Sequence, residues 1–136
     1  MEDPVEAPDP DSVDDRHVVL IVEDEFLLRW PTSEFLRESG YRVIEVASVS
    51  EAIMVFSSNT RVDLVFSDVN LEGDLTGHAL ASWLEKHHPA IPMLLTSGDK
   101  RASNVVSSGA ARPFVAKPYV LADVEQRIKD MLTRNG

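Results

Sequence analysis

The sequence predicts an α/β protein: an open, doubly wound, five-stranded parallel sheet with five helices. Three observations predict it. Five short apolar runs, rich in Val, Leu and Ile, are continuous rather than alternating, as in strands buried on both faces of a parallel sheet. They alternate strictly with stretches of helical spacing, which asks for repeated βα units. Four of the runs end in a polar residue, on the sheet edge where such folds place their sites.

The first strand is expected over His17–Val22, ending at Glu23-Asp24-Glu25. A helix over Glu25–Ser39 follows, and Pro31 inside it removes a backbone donor, so a kink is expected. With Leu28 taken as core-facing, 100° per residue puts Thr32 and Phe35 beside it and turns Phe26 and Trp30 away from the sheet. The second strand, Arg42–Val46, leads to a helix over Val49–Ser58 opened by the capping box Ser48-Val49-Ser50-Glu51.

The third strand, Leu64–Ser67, ends at Asp68, and a helix spans Gly77–His87. The fourth strand, Met93–Thr96, runs into Ser97-Gly98. The next stretch, Lys100–Ser108, is made mostly of poor helix formers and is expected to give a short or mobile helix. The fifth strand, Phe114–Ala116, ends at Lys117-Pro118. The last helix, Leu121–Thr133, carries a core-facing stripe of Leu121, Val124, Ile128 and Met131/Leu132.

A chain of 136 residues fits one domain and buries enough surface to need no disulfide or metal staple, and it has no cysteine. No apolar stretch approaches the roughly 20 residues of a membrane span, and Met1–Asp15 lacks the pattern of a secretory signal. A cytoplasmic protein is therefore expected. The net charge of −10 is uneven. Met1–Asp15 holds seven acids, no base and three of the eight prolines, and reads as a disordered acidic leader that is solvated and without a partner. Residues 16–136 form the folded domain, with 16 acids against 13 bases, and nothing is basic enough to bind nucleic acid through its phosphates. No Gly-x-Gly-x-x-Gly or Gly-Lys-Ser/Thr loop is present, which disfavours nucleotide-binding members of this class. The histidines do not form a metal site: His78 and His87 are out of phase on a helix, His87-His88 are adjacent, and all three read as solvated.

The four strand ends bring carboxylates, a hydroxyl and an ammonium to one edge, a set suited to a divalent cation and a phosphoryl group. In that order, Glu23-Asp24, Asp68, Thr96 and Lys117-Pro118 resemble the receiver domain of two-component response regulators over about residues 16–134. The resemblance implies a flavodoxin-like sheet of strand order 2-1-3-4-5.

It also implies roles. Asp68 matches the phosphoacceptor, and a carboxylate attacks a phosphoryl group once the charge between them is neutralised. Asp24 matches the acid that binds the cation directly and Glu23 the one acting through water, with the backbone carbonyl of Asn70 and Asp68 itself completing a Mg²⁺ site. Thr96 should hydrogen-bond a phosphoryl oxygen, Lys117 should sit between Asp68 and the phosphate, and Phe114 matches the aromatic switch. Glu23 replaces the more usual Asp, Glu72 stands where Pro is frequent, and the loop Leu71-Glu72-Gly73-Asp74 is one residue longer.

The function expected from the resemblance is a stand-alone regulator in a phosphorelay. It would take a phosphoryl group from a histidine kinase or histidine phosphotransfer protein and signal to an unknown output protein through a changed surface, without being an enzyme beyond its own phosphorylation and dephosphorylation. In the family the first helix docks on the kinase, which would give Phe26 and Trp30 a partner. Two alternatives compete. An aspartate-nucleophile phosphatase usually has a second Asp two residues after the nucleophile, where this chain has Asn70. A phosphorylation-independent interaction module would not need the acid, Thr and Lys set.

Overall fold

The computed structural model describes residues 15–71, 73, 75–98 and 112–135. The leader, apart from Asp15, and the helix expected over Lys100–Ser108 lie outside these residues. The elements are β1 (Val18–Val22), α1 (Phe26–Glu38), β2 (Arg42–Val46), α2 (Val49–Ser57), β3 (Leu64–Asp68), α3 (Gly77–His87), β4 (Met93–Ser97), β5 (Phe114–Ala116) and α4 (Leu121–Asn135). The sheet is wholly parallel, in the order β2-β1-β3-β4-β5.

Every residue of β1, β3 and β4 is buried, the physical reason their sequences do not alternate. Side chains still point to opposite faces in turn. Leu20, Val22, Val65 and Leu95 pack under α2 and α3 with Ala52, Phe56, Leu80 and Leu84. Val19, Ile21, Leu64, Phe66 and Leu94 pack under α1 and α4 with Leu36, Val124, Ile128 and Leu132. Each fully buried Leu or Val stabilises the fold by about 1.5–3 kcal/mol relative to exposure. Of the expected α4 stripe, Val124, Ile128 and Leu132 are in this core and Met131 packs against it, while Leu121 is half-buried outside it.

The capping box closes with a one-residue offset: Ser48 Oγ accepts from the Glu51 amide at 3.1 Å, while Glu51 accepts from the Ala47 amide at 2.6 Å. The helix α1 is continuous through Pro31, but its face differs from the expected one. Thr32, Ser33 and Leu36 are buried, whereas Leu28 is 39 % exposed. At 3.6 residues per turn the buried face is turned by about a quarter of a turn from Leu28. The cause is local: Thr32 and Ser33 are small enough to meet the sheet closely, and the side of Leu27 then faces solvent. Phe26, Leu27 and Trp30 are exposed at 56 %, 83 % and 50 %.

His78 and His88 are less solvated than expected, whereas His87 is exposed as expected. The His88 ring stacks on Phe56 at 4.8 Å, the His87 ring lies 4.7 Å from Trp83, and His78 is half-buried. Stacking on the Phe56 ring accounts for the partial burial of His88.

Candidate functional site

Parallel register carries the polar strand ends to one edge. Asp68 is opposite Thr96, and Ser97 is opposite Ala116, one residue before Lys117. The Lys117 amide donates to the Ser97 carbonyl at 3.0 Å, which fixes the start of the loop after β5, and the Lys117–Pro118 peptide is cis. The Glu23 amide donates to the Val46 carbonyl at 3.1 Å, extending the pairing of β1 and β2 by one residue.

Lys117 Nζ donates to Asp68 Oδ2 at 2.8 Å and to Glu23 Oε1 at 3.1 Å. The Asn70 amide donates to Asp68 Oδ1 at 3.1 Å and the Glu25 amide to Glu23 Oε2 at 3.2 Å. Glu23 and Asp68 are buried and Asp24 is half-buried. Burial, with the Asp68 charge behind it, raises the Glu23 carboxyl above its ordinary range against the lowering pull of the Glu25 amide and Lys117. Burial alone would lower the Lys117 ammonium, but its bonds to Asp68 and Glu23 outweigh that and raise it.

Carboxylate oxygens of Glu23, Asp24 and Asp68 all lie within 4.8 Å of one another. At that spacing like charges repel by about 3–4 kcal/mol per pair at an effective dielectric near 20. An all-oxygen set of this kind fits a hard divalent cation such as Mg²⁺. Thr96 is 2 % exposed, and among the described residues its hydroxyl has no hydrogen-bond partner. A buried unpaired hydroxyl costs free energy, so this one is suited to an incoming acceptor oxygen. Asn70 joins the group through its backbone amide and through its side chain, which donates to Ser97 Oγ at 3.1 Å. Phe114 is half-buried and packs on the core under α2 and α3.

The response regulator receiver domain family matches residues 19–129, nearly all of the folded part. The chain belongs to this family. The receiver domain is 35 % identical over 120 residues to the sensor kinase CckA of Brucella abortus, covering 85 % of this chain and 12 % of that protein. It is 30 % identical over 115 residues to the two-component response regulator ORR8 of rice, covering 82 % of this chain and 94 % of the relative. The crystal structure of the response regulator TrrA of Thermotoga maritima, in complex with Mg²⁺ and BeF, superposes with a TM-score of 0.76 at 26 % identity, covering 85 % of this chain and 98 % of that one. The chain thus spans only a small part of the sensor kinase and nearly all of ORR8. Receiver domains bind Mg²⁺ at an acidic pocket and interact with histidine kinases or phosphotransfer proteins. No helix among the described residues is long and apolar enough to cross a membrane.

Four residues of the receiver domain that sequence reasoning passed over shape this site. Arg29 donates to the Glu23 carbonyl at 2.8 Å and to Glu45 at 3.1 Å, tying α1 to the end of β1. Thr32 donates to the Leu28 carbonyl at 3.0 Å, and its oxygen lies 3.2 Å from the Tyr119 hydroxyl, which therefore donates to it. Gly77 leaves room that no other residue would, because a Cβ there would collide with the Asp68 carbonyl oxygen and meet Val69 Cα at 2.9 Å. The glycine at the start of a predicted helix and the Tyr two residues past Lys117 were signals for two of these. Nothing local marks the bonds of Arg29 or the Thr32–Tyr119 contact, whose partners lie outside α1.

Proposed function

We propose that this receiver domain accepts a phosphoryl group on Asp68 from a histidine kinase or histidine phosphotransfer protein and signals through its own surface. One observation supports this most: Asp68 lies within hydrogen-bond reach of Lys117, beside two further acids and across from a buried hydroxyl that has no partner among the described residues.

In the proposed transfer, an Asp68 carboxylate oxygen attacks the phosphorus of a phosphohistidine as the P–N bond breaks. The electron pair leaves with the imidazole nitrogen and an acyl phosphate remains. Asp24 and Asp68 would ligate Mg²⁺ directly, Glu23 through water, and the Asn70 carbonyl would complete the set. When bound, the ion neutralises charge between carboxylate and phosphate. Lys117 would shift from its present bonds toward the phosphoryl oxygens, and Thr96 would donate its hydroxyl to one of them. Phe114, which has no hydroxyl, would carry the change by packing alone. Phe26 and Trp30, both exposed on α1 close to Glu23, would help choose the donor protein.

The domain is read as a phosphoacceptor and not as an enzyme acting on separate substrates. Asn70 follows Asp68 at the place where a turnover phosphatase needs an acid. Incubation with acetyl phosphate and Mg²⁺ tests this. A stoichiometric adduct that accumulates supports the proposal; steady turnover of acetyl phosphate would favour the phosphatase, and no adduct the phosphorylation-independent module.

A further inference from the structure

A cavity of about 320 Å³ lies at the opposite edge of the sheet from Asp68, around the first residues of β1 and β2. Arg16, Arg37, Arg42 and Arg61 line it together with Tyr41 and Thr60, and no acid is among the described residues that line it. Acids outside the lining pair with some of its arginines. Arg37 meets Glu34 at 2.8 Å and Glu45 at 3.1 Å, and Arg61 meets Asp63 at 3.1 Å. A guanidinium offers five donors in a planar fork, so it can hold more than one carboxylate, as Arg37 does. Four such groups around one concavity suit an occupant with several carboxylates.

The chain carries that occupant. Asp15 directly precedes Arg16 at the rim, and Met1–Asp15 holds seven acids and no base. We propose that the acidic leader, residues 1–14, docks in this arginine-lined cavity of its own chain. Fourteen residues reach up to about 50 Å when extended, so length does not limit it. The short connection gives an effective concentration in the millimolar range, at which individually weak ion pairs suffice. The other edge repels the leader, because Glu23, Asp24 and Asp68 crowd there. That edge is roughly 17 Å away, five strand residues at about 3.3 Å each, and well within the leader's reach. Docking thus holds the negative leader off the edge where an anionic phosphoryl group must approach.

The absence of cysteine makes the test direct. A nitroxide on Ala7→Cys in the full chain should broaden the amide resonances of Arg42, Thr60 and Arg61 and spare those of Asn70 and Ser97. The Arg42→Glu/Arg61→Glu variant should lose this broadening. Should that variant not fold, raising NaCl to about 1 M, where the Debye length is about 3 Å, should abolish the broadening in the parent chain. Broadening centred elsewhere, or unchanged by charge reversal and by salt, would overturn the proposal. So would broadening of isotope-labelled chains without nitroxide by nitroxide-bearing ones, which would seat a second copy's leader in the cavity.

Discussion

Lys117 Nζ lies 2.8 Å from Asp68 Oδ2, although 49 residues separate the two in sequence. The contact joins the end of β5 to the end of β3 across β4 and makes Lys117 the counter-ion of two buried acids. In this arrangement a single ammonium sits against Asp68, the proposed nucleophile, before any phosphate arrives. Its loss would leave Glu23 and Asp68 repelling each other in a poorly solvated place.

Lys117→Met keeps the length of the stem and removes the charge. Breaking one side of a buried pair costs about 3–5 kcal/mol, and partial exposure of Lys117 places this case at the low end. Chemical denaturation without Mg²⁺ should show that loss, and millimolar Mg²⁺ should recover part of it. An unchanged midpoint would mean that Lys117 does not hold the two acids.

Mg²⁺ should raise the thermal midpoint of the wild-type domain by relieving the repulsion among Glu23, Asp24 and Asp68. At a concentration 100 times its dissociation constant the ion stabilises by about 2.7 kcal/mol. Calorimetry on Asp24→Ala should show almost none of this. An equal rise in both proteins would remove Asp24 from the site.

Gly77→Ala should cost about 1–3 kcal/mol, because the added methyl must push α3 away from the Asp68 backbone. Labelling of Asp68 by acetyl phosphate should slow as well. Full stability and full labelling together would show that the close approach is not required.

Tyr41 is one alkaline weak point of the fold. Burial, helped by the Glu125 carboxylate that accepts its hydroxyl at 3.2 Å, pushes the phenol up to about 12. The folded chain therefore binds more protons than the unfolded one between pH 10 and about 12, so stability should fall as pH rises through that window. Tyr41→Phe should lose about 1 kcal/mol below pH 10 and show a shallower decline above it. Urea midpoints that decline equally in both would assign the effect to another group.

Trp30→Ala should slow phosphoryl transfer from the cognate kinase and leave labelling by acetyl phosphate intact. Equal slowing with both donors would mean that Trp30 supports the fold and not docking.

The strands and most helices were legible because their signals are local and agree: continuous apolar runs, the Ser48 box, and the stripe of Val124, Ile128 and Leu132. Glu23, Asp24, Asp68, Thr96 and Lys117 were legible as a group because parallel strands must end on one edge. The face of α1 was not, since it is set by how closely Thr32 and Ser33 approach the sheet and not by hydrophobicity. The Thr32–Tyr119 bond and the bonds of Arg29 depend on side-chain reach between elements, which no period in the sequence encodes. His88 was misjudged because its partner Phe56 lies 32 residues earlier.

Asp68 is the proposed acceptor of the phosphoryl group. Asp68→Asn keeps the shape of the side chain and removes the nucleophilic carboxylate. Intact-mass spectra after incubation with acetyl phosphate and Mg²⁺ should show one added phosphoryl group on the wild-type chain and none on Asp68→Asn. A phosphoryl adduct on the Asp68→Asn variant would place the acceptor at another residue.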